Sequence, residues 1–447
     1  MVSFAKSLAR VKDDLKNLLP ARSILAVCRR VGQKFRDGVL TPVNTVYVFL
    51  LQVLHGNMAM SGLSRLAGVQ FTASGYCQAR SRLKLELLAG LFEVVTGALR
   101  QAGEAVGLWH KHRVFHIDGT GVSMPDEEEL QAHFGQPGNQ SKGCGFPVAH
   151  LLAMFDAATG FVLELIAAPL RTHDLADCPL MHPKLSAGDV LIGDRGFCSY
   201  AHLCLLLQRN LHGLFRLHHR VLVSFRAGRR WSPISRGIKG QPHSRWVKKL
   251  GWWDQLVEWF KPKDCPPWMD KKTYDSLPRS IIVREFRYRV NQPGFRVRDV
   301  TAVTTLTDPT RYPKEELAEL YLARWRVECN LKHLKITLGM DVLKSQSVAG
   351  VLKELLMFAL VYNLVRAVMV QAAEQEGAEP DRISFVDALR WLQIALWADV
   401  PLRLTVNPLR PGRFQPRVRK RRCKKYPVMK KPRQELIQQL ARKRVPA

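Results

Sequence analysis

The chain has 447 residues, of which 68 are Lys or Arg and 38 are Asp or Glu, giving a formal charge of +30 and a pI near 10.1. Such an excess of positive charge is rare among enzymes of small metabolites. It indicates a polyanionic partner, most often nucleic acid, although ribosome-like and membrane-surface proteins share it. An apolar fraction of 47% provides a hydrophobic core and excludes low-complexity disorder for most of the chain.

Residues 1–105 are predicted to be helical. Apolar residues recur there at three- and four-residue spacing, through 24–31, 46–54 and 83–99. Ser61 and Ser74 are the expected N-caps of two of these helices.

The pattern changes near residue 113 to short strands alternating with helices. Strands are predicted at 114–118, 148–155, 161–167, 190–194 and 213–217. Helices are predicted to begin near Asp174 and to cover 200–208. Three strands, a helix, a strand, a helix and a strand is the order of an RNase H-like α/β domain.

From about 220 to 298 the chain is basic and rich in Trp and Pro, which indicates an insertion that is largely β, with strands at 281–290 and 300–306. A long helix is predicted to begin after Asp308 and to stop at Gly339, and a second to cover 348–373. The C-terminal region ends in a basic tail. Its cluster RVRKRRCKK contains Arg417, Arg419 and Lys420, and the neighbouring prolines argue against a long regular helix.

Two features of the sequence bear on the cellular location of the protein. The nine cysteines are odd in number and include no C-x-x-C pair, which argues against a disulfide framework and a structural zinc site and for reduced thiols in a cytosolic protein. The apolar stretch LLMFALVY at 355–362 is too short to span a bilayer and predicts a buried helix. We therefore expect no membrane partner.

Three carboxylates are the candidate catalytic residues. Asp118 and Asp194 each end a predicted strand, where sites form in α/β sheets, and such carboxylates can share divalent cations. At 100° per residue, Tyr321, Arg324, Glu328 and Lys335 fall on one narrow arc of the predicted helix, beside a Leu and Val stripe. This helix would present an acid flanked by cations that suit DNA phosphates.

The residues alone leave simpler interpretations open. An Asp after a strand often caps a turn, and Arg324 and Glu328 have the spacing of an ordinary i,i+4 ion pair. Asp156 and Asp174 are competing acids, but the first falls in a predicted tight turn and the second reads as a helix cap.

The stretch Tyr321-x2-Arg324-x3-Glu328-x6-Lys335 resembles the Y-(2)-R-(3)-E-(6)-K signature of the DDE transposases of the insertion-sequence-4 family. Asp118 in HIDGT and Asp194 in IGDRGF match the first two acids of that family, and SGYCQARSRL at 74–83 resembles a segment of its N-terminal region. The resemblance runs from about residue 20 to 425 and includes a β-rich insertion before the last acid.

The resemblance implies a transposase that binds the terminal inverted repeats of its insertion sequence and moves it by metal-dependent strand cleavage and strand transfer. Asp118, Asp194 and Glu328 would be the catalytic and metal-binding triad, holding two Mg²⁺ ions, for which Mn²⁺ can substitute. The expected DNA-contacting residues are Tyr321, Arg324, Lys335, Arg80, Arg82, Arg417, Arg419 and Lys420.

The resemblance also sets the expected organisation: an α/β fold with an RNase H-like catalytic domain, a β-rich insertion, a helical N-terminal domain and a basic C-terminal tail. The expected parts are 1–105 for binding transposon ends, 106–219 and 306–375 for the catalytic domain, 220–305 for the insertion and 376–447 for the C-terminal region. The expected partners are transposon-end and target DNA and a second copy of the chain. The expected location is the bacterial cytoplasm, at the nucleoid.

Three alternatives stay open. They are a catalytically inactive relative that binds DNA, an RNase H-like nuclease without strand transfer, and a basic structural protein.

Some relatives stack a flipped base on a Trp late in the insertion. Here the last Trp of the insertion is Trp268, and its late aromatics are Tyr288 and Phe295, so a hairpin-forming mechanism is not implied.

Overall fold

The fold is taken from a computed structural model, which describes residues 19–35, 38–232, 240–290, 299–395, 400–409 and 428–443. Its N-terminal part is helical, as predicted. The helices are α1 Ala21–Arg30, α2 Pro42–Leu54, α3 Leu63–Ala67, α4 Ala73–Arg82 and α5 Leu85–Val106.

The predicted N-caps of these helices are wrong. The Thr72 side chain caps α4 by accepting a hydrogen bond from the Gly75 N–H, so Ser74 lies inside the first turn. Ser61 lies in a short 3₁₀ turn, Met60–Gly62, and caps no helix. Both serines stand two residues beyond the last extended residue, and an N-cap side chain turns back onto the first free N–H groups from an extended residue.

The described strands form one nine-stranded sheet with the order β3-β2-β1-β4-β5-β9-β8-β7-β6. The strands are β1 Val114–Ser123, β2 Val148–Asp156, β3 Val162–Pro169, β4 Val190–Gly193, β5 His212–Arg216, β6 His243–Gly251, β7 Asp254–Phe260, β8 Ser280–Arg289 and β9 Asp299–Thr304. The neighbours β1, β4 and β5 run parallel, and all other pairs are antiparallel. The result is a mixed α/β fold.

The predicted insertion is β-rich, but it is not a separate small sheet. Strand β9 pairs with β5, so β6 to β9 extend the central sheet. A buried polar contact stabilises this extension: the Trp259 indole N–H donates to Glu285 Oε1 at 2.8 Å. The sequence could not show the pairing, because strand neighbours depend on contacts between distant residues.

The remaining helices cover the sheet and the C-terminal region. They are α6 Glu128–Phe134, α7 Asp174–Met181, α8 Tyr200–Gln208, α9 Lys271–Ser276, α10 Lys314–Ala323, α11 Arg326–Lys332, α12 Val348–Gln375, α13 Phe385–Ala395 and α14 Arg433–Lys443. The basic cluster that contains Arg417, Arg419 and Lys420 lies outside the described residues. Helix α14 follows it, so part of the tail is helical.

The single long helix predicted between Asp308 and Gly339 is wrong. Helix α10 ends at Ala323, and i→i−3 bonds from Arg324 N to Tyr321 O and from Val327 N to Arg324 O tighten the backbone before α11. A π-helical segment, His333–Thr337, follows α11. Gly339 has a φ of +84° and ends the helical run, as predicted.

Helix α12 is the central helix of the core. By length and composition it could cross a membrane, but 67% of its most apolar window is buried within the protein, as in a core helix. The Asn363 side chain bonds both the N–H and the C=O of Val162 at 2.8 Å, which joins α12 to β3.

Helix α12 also holds the N-terminal helices. Glu354 is fully buried and accepts a hydrogen bond from Asn57 Nδ2 at 2.6 Å, and Lys353 Nζ donates to the Ser81 carbonyl at 2.8 Å. Apolar residues of α1 to α5, of the sheet and of α12 and α13 belong to one contiguous hydrophobic core. The N-terminal helices therefore do not have a core of their own.

Candidate active site

Asp118 and Asp194 are brought side by side by two parallel strands. The register pairs His116 with Ile192, and continuing it by two residues places Asp118 opposite Asp194, which follows the end of β4. Neighbouring strands lie about 4.8 Å apart. The sequence therefore predicted the proximity of the two acids correctly.

The prediction that Asp118 ends its strand is wrong. Strand β1 continues to Ser123, because β2 pairs with it throughout, from Phe115–Asp156 to Ser123–Val148. On its opposite edge β1 pairs with β4, and that pairing ends early because β4 stops at Gly193. Asp118 thus lies where β1 loses its neighbour on that side, and this leaves room for a site.

Each Asp is oriented by a backbone N–H. Asp118 Oδ1 accepts from Gly119 N at 2.9 Å, and Asp194 Oδ1 accepts from Gly196 N at 2.7 Å, capping the 3₁₀ turn Arg195–Phe197. These bonds hold the carboxylates in place and leave their second oxygens for other ligands.

Arg324 joins the third acid to the first. Its Nη1 lies 3.6 Å from Asp118 Oδ2, and its Nη2 donates to Glu328 Oε1 at 3.2 Å. The i,i+4 ion pair expected from the sequence exists, but the same guanidinium also reaches Asp118 across the site. One cation therefore stands between two carboxylates that come from a strand and a helix.

The pKa shifts in the site follow from burial and from the charges of neighbouring side chains. The pKa of Asp118 is raised to about 6, mainly by burial; Arg324 and the Gly119 N–H lower it, and the negative charges of Asp194 and Glu328 add to the rise. Burial alone would lower the pKa of Arg324, but neighbouring Tyr321 and these acids outweigh it, so that pKa is raised. The site therefore concentrates negative charge around a single guanidinium.

Tyr321 and Lys335 complete the group that the signature predicted. Tyr321 is 7% exposed, and burial raises its pKa to about 12, so its hydroxyl stays protonated and it packs beside Arg324 rather than facing solvent. Lys335 Nζ donates to Thr120 Oγ1 at 2.9 Å, two residues beyond Asp118. The break in the helix does not separate these residues, because the π-helical segment turns Lys335 toward β1.

Asp174, a competing acid in the sequence analysis, also borders the site, together with His150, which sequence reasoning missed. Their side chains form a hydrogen-bonded ion pair at 2.7 Å, and the bond to Asp174 raises the pKa of His150. A Cβ on Gly119 would lie 2.5 Å from Asp174 Oδ1, so the glycine beside Asp118 admits this carboxylate. His173, not Asp174, is the N-cap of α7, so the interpretation of Asp174 as a helix cap is wrong.

A cleft of about 690 Å³ begins beside Asp194. Arg171, Arg195 and the half-buried Trp268 line it, so it combines positive charge with an aromatic ring. Of the other late aromatics, Tyr288 is buried and Phe295 lies outside the described residues.

The two N-terminal arginines differ in their surroundings. Arg80 lies 4.8 Å over the Phe49 ring and donates to Gln52 Oε1 at 3.3 Å, so its guanidinium is occupied by contacts within the protein. Arg82 is exposed at the end of α4. Arg82 is thus the more accessible of the two arginines expected to contact DNA, and Arg80 contacts its own protein.

Comparison with known proteins identifies the class of this enzyme. A family model described as "Transposase DDE domain" matches residues 109–364, more than half of the chain, and the chain belongs to that family. Members of this class are DNA-cleaving and strand-transferring enzymes that depend on divalent metal ions.

The particular branch of the family follows from a curated relative. The chain is 25% identical over 377 residues to Transposase InsG for insertion sequence element IS4 of Escherichia coli (strain K12), which covers 80% of this chain and 78% of the relative. This confirms the resemblance to the insertion-sequence-4 family. Among solved structures, the chain is similar to a piggyBac transposase synaptic complex with hairpin DNA, with a TM-score of 0.43, 10% identity and coverage of 89% of this chain and 80% of that one.

Proposed function

We propose that this chain binds the inverted-repeat ends of its own insertion sequence, cleaves them and joins them to target DNA, with Asp118, Asp194 and Glu328 as its catalytic carboxylates. The observation that carries this proposal is the position of Arg324 between Asp118 and Glu328, 3.6 and 3.2 Å from their oxygens, beside a strand register that brings in Asp194. Two strands and a helix each supply one acid to this place.

The donor set fits divalent cations. Carboxylate oxygens are the ligands that Mg²⁺ and Mn²⁺ prefer, and Asp118 and Glu328 already hold one cation, the Arg324 guanidinium, between them. Two bound Mg²⁺ ions would activate the attacking water or 3′-hydroxyl and stabilise the leaving oxygen at the phosphodiester. The protein contributes the orientation of the acids through Gly119 and Gly196.

The neighbouring residues are proposed to position DNA. Arg324 and Lys335 would contact phosphates beside the scissile bond, as guanidinium and ammonium groups do in other protein–DNA complexes, and Tyr321 would hold Arg324 in place. Arg82 and the tail residues Arg417, Arg419 and Lys420 are proposed as further contacts. The cleft lined by Arg171, Arg195 and Trp268 leads away from Asp194 and is the proposed path of the DNA end.

We propose an RNase H-like assignment for β1 to β5, supported by their order 3-2-1-4-5 and their strand directions. The domain roles expected from the sequence remain proposals: end recognition for residues 1–105 and a DNA contact for the insertion at 220–305. A homodimer on bacterial chromosomal DNA is proposed because two ends must be paired before joining.

The test uses the purified full-length protein and labelled duplexes that carry the ends of its element. With Mg²⁺ we expect cleavage at the transposon end and, with a supercoiled plasmid, joined products; EDTA abolishes both. Asp126→Asn, at an exposed acid outside the site, serves as the control. Cleavage without joining would favour the nuclease alternative, and specific binding without cleavage would favour the inactive DNA-binding relative.

A further inference from the structure

A buried cluster of one thiol and two imidazoles lies between α7 and α8. Cys178 is on α7, His182 follows that helix by one residue, and His202 is on α8. Cys178 Sγ lies 3.4 Å from His202 Nε2 and 3.9 Å from His182 Nε2, and the two Nε2 atoms are 3.2 Å apart. All three side chains are buried, at 1% exposure or less.

The separations match a shared ion. The three ligand atoms form a triangle whose circumscribed circle has a radius of about 2 Å, close to the Zn–N and Zn–S bond lengths of about 2.0–2.1 and 2.3 Å. Tetrahedral zinc with these bond lengths would hold two nitrogens about 3.3 Å apart and a sulfur about 3.6 Å from each nitrogen. The observed triangle therefore needs only shifts of a few tenths of an ångström to hold a zinc ion.

The orientation of His202 supports ligation. Its Nδ1 donates to the Phe197 carbonyl at 2.7 Å, which fixes the tautomer and leaves the lone pair of Nε2 directed at Cys178 and His182. Metal-bound histidines commonly donate their other ring N–H to a backbone carbonyl in this way.

We propose that Cys178, His182 and His202 form a zinc site. Zinc suits this set because it accepts thiolate and imidazole together, and three protein ligands with a fourth, non-protein ligand is a common zinc arrangement. The site is distinct from the carboxylate site, whose oxygen donors suit harder cations.

The proposed zinc site has a structural consequence for the catalytic turn. Phe197 ends the 3₁₀ turn that Asp194 caps, and His202 holds its carbonyl. A zinc ion would thus link α7, α8 and the turn that orients Asp194. The alternative is a hydrogen-bonded trio, with the thiol and one imidazole N–H as donors, that binds no ion.

The experiment measures zinc in the full-length protein after gel filtration in excess Mg²⁺, which competes at carboxylates but not at a thiolate. We expect about one zinc per chain, and at least a tenfold lower content in Cys178→Ser and in His202→Asn. Cys28→Ser replaces a buried thiol elsewhere in the core and should retain the zinc. Unchanged zinc in Cys178→Ser would overturn the proposal.

Cobalt substitution tests the ligands in the wild-type protein and does not require the variants to fold. Co²⁺ at this site should give a thiolate-to-cobalt charge-transfer band and the intense visible bands of tetrahedral cobalt, both bleached by added Zn²⁺. Cobalt bound only by carboxylates gives no thiolate band. A wild-type protein that takes up neither zinc nor cobalt with these signatures, or that retains only copper, overturns the proposal.

Discussion

Nη1 of Arg324 lies 3.6 Å from Oδ2 of Asp118, although the two residues are more than two hundred positions apart in the chain. The contact crosses from the loop between α10 and α11 to the middle of β1. It lowers the pKa of a carboxyl group that burial raises, so the protonation of Asp118 depends on Arg324. Charge balance at this one pair links the stability of the fold to the proposed chemistry.

Asp118→Asn should stabilise the metal-free protein at neutral pH. The pKa of Asp118 is raised to about 6 in the folded state, against about 3.9 in the unfolded chain. Folding therefore favours the protonated form, and stability falls as pH rises from about 4 through 6. Asn copies the neutral form, so we expect a gain of about 1–3 kcal/mol at pH 7.5 and none below pH 4.

Urea unfolding at several pH values, without divalent cations, measures this difference. Asp275→Asn is the control, since that side chain is 61% exposed and should leave the pH dependence unchanged. Equal stability of Asp118→Asn and wild type at every pH would show that the charge of Asp118 does not destabilise the folded state.

Asp194→Asn should abolish cleavage and keep DNA binding. Asn retains the oxygen that accepts from Gly196 N at 2.7 Å, so the turn is preserved while the ligand charge is lost. Removing several kcal/mol of transition-state stabilisation lowers the rate by at least about a thousandfold. Single-turnover cleavage and gel-shift titration of the same end duplex measure the two effects, with Asp126→Asn as the matched control. Cleavage at the wild-type rate would exclude Asp194 from the triad.

Arg324→Ala should move the acid limb of the pH–rate profile to higher pH. Arg324 lowers the pKa of Asp118, so its removal makes Asp118 harder to ionise, by about one pH unit. Arg324→Lys keeps the positive charge but cannot reach both carboxylates with a rigid fork. Arg324→Lys should therefore lower the cleavage rate, while the acid limb of its pH–rate profile stays at nearly the same pH. Identical profiles for Arg324→Ala and Arg324→Lys would argue against this electrostatic link.

Glu354→Ala should destabilise the whole protein rather than one domain. Glu354 is fully buried and accepts from Asn57 Nδ2 and from the backbone N–H groups of Lys344 and Ser345. Its loss leaves several buried donors unpaired, at a cost on the order of 3–5 kcal/mol. Tryptophan fluorescence and far-UV circular dichroism should report one shared, weakened unfolding transition, because the N-terminal helices share the core of α12.

Glu374→Ala, at an exposed position near the end of the same helix, is the control and should change stability little. An early transition confined to the helical signal would mean instead that the N-terminal helices unfold independently.

The sequence predicted the parts of this protein that depend on local pattern. Helices α1, α2, α5, α8 and α12 follow from apolar periodicity, and the Asp118–Asp194 neighbourhood follows from two acids at matching places along the predicted strands. The break between α10 and α11 could not be predicted, because an amphipathic pattern continues through it and the i→i−3 bonds are set by packing. His150 on β2 meets Asp174 on α7 only through the tertiary fold, and Cys178, His182 and His202 have no C-x-x-C spacing.

The basic tail is the part of the chain whose role rests on charge alone. Its cluster from Arg417 to Lys425 lies outside the described residues, and a run of Lys and Arg with almost no acids nearby is expected to bind phosphate backbones without sequence preference. Such binding releases counterions, so its affinity falls steeply as salt rises, with a slope set by the number of phosphates contacted. We expect deletion of residues 412–447 to give a shallower salt dependence of binding to random duplex.

Fluorescence anisotropy across a salt series measures that slope for the full-length and shortened proteins. Cleavage that depends on Asp194 should persist in the shortened protein at low salt, because none of the three carboxylates or Arg324 lies in the deleted segment. A variant with the cluster's Lys and Arg changed to Gln keeps α14, so it separates loss of charge from loss of the helix. If the affinity of that variant falls with salt as steeply as that of the unchanged full-length protein, the tail does not contact phosphates. If the deletion alone unfolds the protein, α14 contributes to the core rather than to DNA binding.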